Sequence, residues 1–527
     1  MLVMSLPLEL KIGQMIVAGF PGTALGGSSF ESLARSRKIG NAILFARNIG
    51  TPEELFELTR SIKALVARET GFPPLIAIDQ EGGMVTRIRS GATFFPGAMA
   101  CSAAGSLGDA GRMALAMGRE LRALGVNFNL APVADVNLNP ANPVIGVRSF
   151  GEDPGRVSLF ASAYARGFRK AGILCAAKHF PGHGDTDVDS HLGLPVVPHG
   201  LDRLRRVELV PFKRLISEGI KAIMTAHILF PALEPGGLPA TLSSAVLTGL
   251  LRRELGFKGL IVTDCLEMGA IAGGFPEAAV LAVEAGADLL FVSHTPEAQE
   301  RAAISIAEAV RAGRISEFRI DESVSRILSM KKALPPQERS FADASRLVGS
   351  RSHQRLAERV SVKSITMIRN GGFFPFVGSV PLLLDDLPRA ATGAEDVAGG
   401  PTLAAALREA GIAVDAVPLP EDPGERDIER IAGLAMGRNL IAATRDAGMH
   451  AGRRACVEAA AAAARRAGLV AMRSPYDAAV FDRIPSAVCA YEYTPVSVKS
   501  VAAFLSGKTK AKGKCPVTLS LAVKSNR

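Results

Sequence analysis

Eight short apolar, β-branched runs recur between Met15 and His294, each separated from the next by enough chain for a helix. They are Met15–Phe20, Ala42–Asn48, Leu75–Gln80, Phe128–Asn137, Leu174–Phe180, Ala222–His227, Leu260–Cys265 and Asp288–His294. Continuous apolar runs of this length read as strands buried on both faces, as parallel strands are. The spacers carry a 3.6-residue period. In Thr51–Glu69 the opening Thr, Pro, Glu, Glu supplies an N-cap, a first-turn proline and acids at the positive end of the helix dipole. A second spacer, Asp202–Gly219, ends on glycine and contains Pro211, which should kink or split it. Eight β/α units predict a (β/α)8 TIM-like barrel; an open doubly wound sheet is the competing arrangement.

Polar residues favour the barrel. Six of the eight runs end in chemistry-bearing side chains: Asp79-Gln80-Glu81, Asp135, Lys178-His179, His227, Asp264 and His294. A closed parallel barrel gathers its strand C-termini at one mouth, where barrel enzymes build their sites.

The pattern restarts after Pro335-Pro336. The division expected is a catalytic barrel over residues 1–335, a linker over 336–358 and a C-terminal α/β domain over 359–527. In the last, Val360–Asn370, Val380–Asp386, Asn439–Arg445, Asp477–Asp482 and Ala487–Tyr493 read as strands, and the Ala-rich Ala455–Gly468 as a helix. This predicts an αβα sandwich on a mostly parallel sheet. No GxGxxG or Walker pattern occurs there, so nucleotide binding has no support.

Composition narrows the function. The net charge of +10 is spread along the chain, and its densest cluster, Gly507–Lys514, reads as a solvated turn before a last strand. With no Trp and few aromatic residues, a stacking platform for nucleic acid is not expected. Six scattered Cys form no CxxC pair, which fits free thiols in a reducing compartment. The apolar N-terminus lacks the basic start of a secretory signal, and no uninterrupted apolar run can span a bilayer. A cytoplasmic enzyme with no membrane partner is the expectation.

The stretch Lys178–His191, KHFPGHGDTDVDSH, holds three His and three Asp among helix breakers. A metal site would set His179 and His183 on one helix face, but Pro181, Gly182 and Gly184 oppose a helix there. A packing role suits His179 at the end of an apolar run and suits His191 poorly. The third reading is a catalytic loop. Asp189 and His191 are two apart, so in an extended segment they point the same way. Asp189 can then fix the imidazole tautomer and leave the other nitrogen for substrate. An imidazole titrates near ~6.5 and can both give and take a proton.

That stretch resembles the signature of glycoside hydrolase family 3 β-N-acetylglucosaminidases. Ile76–Ile88, Ala131–Asn137, Arg148–Pro154 and Leu260–Ile271 resemble further family segments, in family order. The resemblance implies Asp264 as nucleophile, His191 as general acid/base and Asp189 as its partner. It implies that Asp79, Arg87, Arg148, Lys178 and His179 hold the hydroxyls and acetamido group of an N-acetylglucosamine unit. No metal and no organic cofactor is implied. Met84 stands where family members often have Arg, and Cys265 directly follows the expected nucleophile. Three alternatives to hydrolysis of β-N-acetylglucosaminides stay open. They are phosphorolysis, since an imidazole base does not repel phosphate; a β-glucosidase or β-xylosidase of the same family; and a catalytically silent sugar-binding protein.

Overall fold

A computed structural model of the chain describes residues 3–271, 274–335, 340–390, 392–395 and 399–519. All eight runs contain strands: β1 (Ile16–Ala18), β2 (Asn41–Leu44), β3 (Leu75–Ile78), β4 (Phe128–Asn129), β5 (Leu174–Phe180), β6 (Ala222–Thr225), β7 (Leu260–Cys265) and β8 (Leu289–Val292). Neighbours pair in parallel all the way round, and β1 joins both β2 and β8, so the sheet closes as a barrel rather than ending on two open edges. Every C-terminal strand end therefore faces the same mouth. β4 is much shorter than the run Phe128–Asn137. Pro132 has no N–H for a ladder, and the chain beyond it is held to β5 by a bridge between Val133 and Lys178.

The spacers fold for the reasons their sequence gives. The helix Pro52–Thr70 starts on a capping box, in which Thr51 Oγ1 accepts from Glu54 N while the Glu54 carboxylate accepts from Thr51 N. It stops at Gly71, whose φ of 77° terminates the helix with a left-handed residue. The Asp202–Gly219 spacer is split rather than kinked, into Leu201–Arg206 and Leu209–Ser217. Pro211 falls in the first turn of the second piece, where its missing N–H costs no helical bond.

The second sheet runs in the order β9 (Thr366–Arg369), β14 (Ser486–Cys489), β13 (Arg466–Ala471), β12 (Asn439–Thr444), β10 (Leu382–Asp385), β11 (Asp415–Pro418). Only β9 is antiparallel to its neighbour. Several expectations need correction. Val360–Ser364 belongs to the helix Arg351–Ser364, not to a strand. Asp477–Val480 is a helical turn led in by Pro475, not a strand. The Ala-rich helix ends at Ala463, and Arg466–Ala471 forms β13, because pairing with β12 on one side and β14 on the other overrides local helix propensity. No strand follows Gly507–Lys514 within the described residues; Lys514 N donates instead to Ala103 O at 3.0 Å.

Of the stretch expected as a linker, 336–339 lie outside the described residues, as do 1–2 and 520–527 of the expected domains. The helices Phe341–Ser345 and Arg351–Ser364 and the connection between them place Ala344, Val348, Leu356, Ala357 and Val360 in the barrel's hydrophobic core. His353 Nδ1 meets Glu120 Oε1 at 2.7 Å, and Ser500 Oγ donates to Ser361 Oγ at 2.8 Å. The helix thus touches both sheets' surroundings. No helix among the described residues is long and apolar enough to cross a membrane.

The N-terminal end of the barrel is a structural pole. Asp288, fully buried before β8, accepts from Ile261 N (2.9 Å), Ser323 Oγ (2.7 Å) and Arg326 Nη1 (3.1 Å), and pairs with Arg252. Removing one member of such a buried network leaves the others uncompensated. Asp288→Ala is expected to lower barrel stability by about 3–5 kcal/mol in urea unfolding. The folded fraction should keep its catalytic constants, since the opposite end of the barrel carries the polar mouth.

Candidate active site

At the C-terminal mouth lies a cavity of ≈ 320 Å³ lined by Asp79, Arg87, Arg148, Lys178, His179, His191 and Asp264. All but one of the residues anticipated for the site thus share one wall-to-wall space. Asp189 does not line it and sits behind His191.

Five charges form one chain across the floor. Asp79 follows β3, and the chain then makes a hairpin of Gln80–Gly82 with Val85–Thr86 that returns Arg87 to the mouth. Gln80 Oε1 fixes the return by accepting from Arg87 N at 2.9 Å. Arg148 grips Glu81 through Nε (3.0 Å) and Nη2 (2.8 Å). Lys178, on β5, lies 2.7 Å from both Glu81 Oε1 and Asp79 Oδ1. Arg87 Nη2 is 3.6 Å from Asp79 Oδ2. Burial alone would push the Glu81 carboxyl up, but the charges and hydrogen bonds of Arg148 and Lys178 hold it well below the usual range. Burial alone would pull Lys178 down, but Asp79 and Glu81 bring it above the ordinary lysine value. Glu81 and Lys178 are therefore both charged at neutral pH.

Asp264 ends β7. Burial works to raise its carboxyl, yet the imidazoles of His179, His227 and His191 and the Cys265 N–H (2.8 Å to Oδ1) bring it below the usual value. An ionised carboxylate thus faces the cavity. Two of those imidazoles are fixed. His179 Nδ1 lies 2.7 Å from Asp135 Oδ2, and His227 is held between Thr241 Oγ1 and the Cys265 carbonyl, both at 2.9 Å.

The Asp189–His191 contact forms, by a different geometry from the one expected. Residues 189–193 make a turn, not an extended segment: Leu192 N and Gly193 N both donate to Asp189 O, at 2.9 and 3.1 Å. Asp189 Oδ1 accepts from its neighbour's backbone, His191 N, at 2.9 Å and from the ring Nδ1 at 2.6 Å. Burial raises the Asp189 carboxyl, but these two bonds from His191 bring the balance down, so it is ionised and can only accept. The proton on a neutral imidazole is therefore on Nδ1, and the lone pair is on Nε2.

The loop is tied to the turn that follows the Asp264 strand. Gly269 N donates to His191 O and Ala270 N to Ser190 O, both at 3.2 Å. Its glycines serve close approach: a Cβ on Gly184 would fall 1.7 Å from the Val136 carbonyl oxygen.

A metal at His179 and His183 is not supported by the donor set. Both His183 nitrogens are engaged, by Thr186 Oγ1 (2.9 Å) and Ser190 Oγ (3.0 Å). Burial, with His179 alongside, pulls His183 down to about 4, so it stays neutral. Elsewhere among the described residues Asp185, His199 and Glu208 come together, but the Arg203 guanidinium already occupies that cluster, 2.7 Å from Glu208. Cys265 lines the cavity with its thiol pushed up to about 12 by burial, which makes it an inert packing group. Met84 is likewise buried.

Several contributors had no role assigned in the sequence reading. Glu81 stands in a polar cluster, but its part as shared counter-ion depends on Arg148 and Lys178 meeting it. Arg47 and His294, 3.3 Å apart at the rim, follow β2 and β8. Gly393 and Ala394 reach the cavity from the far side of the second sheet's chain and carry no chemical signal at all.

Residues 7–330 match the glycosyl hydrolase family 3 N-terminal domain. The chain is 33% identical to beta-hexosaminidase A of Pseudoalteromonas piscicida, over 91% of this chain and 89% of that one. It is 40% identical to a beta-hexosaminidase of Alkalilimnicola ehrlichii, over 54% of this chain and 81% of that one. Its fold superposes with a TM-score of 0.92 on a glycoside hydrolase family 3 beta-N-acetylglucosaminidase from Paenibacillus sp. str. FPU-7, at 41% identity over 98% of this chain and 100% of that one. The chain belongs to glycoside hydrolase family 3, and is an enzyme of that class.

The Glu81 chain has a pH signature. A folded-state pKa held below the unfolded value adds stability that is present above the unfolded value, near 4.5, and is lost as pH falls below it. The unfolding midpoint of the wild type should therefore fall on acidification from pH 5 to 3. In Glu81→Gln that dependence should be shallower, by up to about 1.4 kcal/mol per pH unit, the contribution of a single proton. Parallel slopes in the two proteins would contradict this role.

Proposed function

We propose that this enzyme is a retaining exo-β-N-acetylglucosaminidase, with Asp264 as nucleophile and the His191–Asp189 pair as acid/base. The observation that carries the reading is one small cavity lined by both an ionised Asp264 and an imidazole whose tautomer a carboxylate sets. Glycoside cleavage needs an anion at the anomeric carbon and an acid on the departing oxygen. The Asp264 carboxylate forms a bond to C1 as the C1–O bond breaks, and the leaving oxygen takes the proton from the His191 imidazolium. Asp189 stabilises that imidazolium. Neutral His191 then accepts a proton from water, the oxygen bonds C1, and Asp264 departs as carboxylate.

Asp79, Lys178, Arg148, Arg87 and His179 hold the sugar. Their charged chain presents fixed acceptors and donors to hydroxyls and to an acetamido group. The cavity is at the small end of ligand pockets, as suits one terminal sugar rather than a polymer groove. The relatives named beta-hexosaminidase support N-acetylglucosamine as that sugar. Fragments of peptidoglycan or chitin-type oligosaccharides in the cytoplasm are the substrates proposed.

Proton NMR of early turnover of an aryl β-N-acetylglucosaminide tests the mechanism. The β anomer should appear first and then mutarotate; α anomer as the first product would rule out retention. Asp264→Ala should fold normally and lose turnover.

A further inference from the structure

Two residues from the second domain, Gly393 and Ala394, reach into this site. Beyond β10 the chain leaves its sheet, and Thr392–Glu395 forms a tight turn in which Glu395 N donates to Thr392 O and Ala394 N to Thr392 Oγ1, both at 3.2 Å. Gly393 lies against the His191 ring: a Cβ there would come 3.0 Å from Cδ2 and 3.1 Å from Cγ. The Ala394 carbonyl accepts from Arg87 Nη1 at 2.8 Å. This strap thus touches the imidazole and one of the sugar-holding cations together.

Its anchor is a buried ion pair. The Glu395 side chain is fully buried and its Oε1 accepts from Arg473 Nε (3.1 Å) and Nη2 (2.6 Å). Arg473 follows β13, and its third nitrogen donates to Asp446 Oδ2, just past β12, at 2.7 Å. These residues sit at the C-terminal ends of parallel strands, beside the place between β10 and β12 where the strand order reverses. Open α/β sheets bind ligands in that crevice. Here the strap's own carboxylate meets Arg473 at these strand ends. A buried pair contributes little net stability relative to apolar side chains, and its specific use is fixed geometry.

We propose that Glu395 and Arg473 are positioning residues for the reaction: their ion pair fixes the strap, and the strap fixes the ring of His191. The barrel's site is then complete only with the second domain in place. The proposal rests on the acid/base role given to His191 above.

The test compares kcat/KM for two substrates, phenyl and 2,4-dinitrophenyl β-N-acetylglucosaminide, in the full chain. The phenyl leaving group needs a proton and the dinitrophenyl group does not. His191→Ala is the reference and should lose activity selectively on the phenyl substrate. Gly393→Ala leaves the ion pair whole and should keep its unfolding midpoint. It should lose about 10- to 100-fold on the phenyl substrate, the scale of a misplaced acid, and less than about threefold on the other. Arg473→Ala should show the same selectivity, and Arg473→Lys should recover part of it. If Arg473→Ala does not fold, Gly393→Ala and Arg473→Lys decide. Equal losses on both substrates, or none, with selective loss in His191→Ala, would overturn the strap's role alone. Unselective loss in His191→Ala would remove the acid/base reading and this proposal with it.

Discussion

An ionised carboxylate at the mouth of an apolar barrel is the demand around which the site is arranged. Desolvation opposes the charge on Asp264, and the structure answers with three imidazoles and a backbone N–H rather than with a lysine or arginine in contact. That choice matters chemically. A full cation bonded to the carboxylate would stabilise it and blunt the nucleophilicity that the proposed mechanism asks of it. Imidazoles support the anion without a full cation bonded to it, and one of them, His191, is the acid/base proposed above. The stronger cations, Arg148 and Lys178, are kept instead on Glu81 and Asp79, carboxylates that line the same cavity.

The barrel separates structural from functional charge by its two ends. At the N-terminal end Asp288 ties β7, β8 and the helix Glu317–Ala333 together through saturated contacts. At the C-terminal end the carboxylates are only partly saturated by protein and face a cavity. Parallel closure makes this sorting possible, because every strand delivers its last residue to the same mouth. The second domain takes part through the same logic: the C-terminal edge of its own parallel sheet anchors the strap that reaches the imidazole.

Much of this was legible in the sequence, for identifiable reasons. Parallel barrel strands are buried on both faces, so their apolar runs stand out, and strand-end residues such as Asp264 and Lys178 stand next to them. The cap at Thr51 is a local signal and formed as written. What escaped depends on partners distant in the chain. β13 was hidden in an Ala-rich segment because only its two neighbouring strands make it extended. Asp477–Val480 has strand-like composition but follows a proline into a turn. The Asp189–His191 pair was legible as a pair, whereas its turn geometry was not. Gly393 has no side chain to announce a role, and its contact with His191 spans two domains.

The proposed mechanism puts Asp264 beneath the anomeric carbon while His191 serves the bridging oxygen. A crystal structure of the enzyme after reaction with a fluorinated N-acetylglucosaminyl fluoride addresses both at once. It should show C1 bonded to an Asp264 oxygen, with His191 Nε2 directed at the position the leaving oxygen vacates. A sugar bonded elsewhere, or an imidazole turned away from that position with its loop still closed, would contradict it.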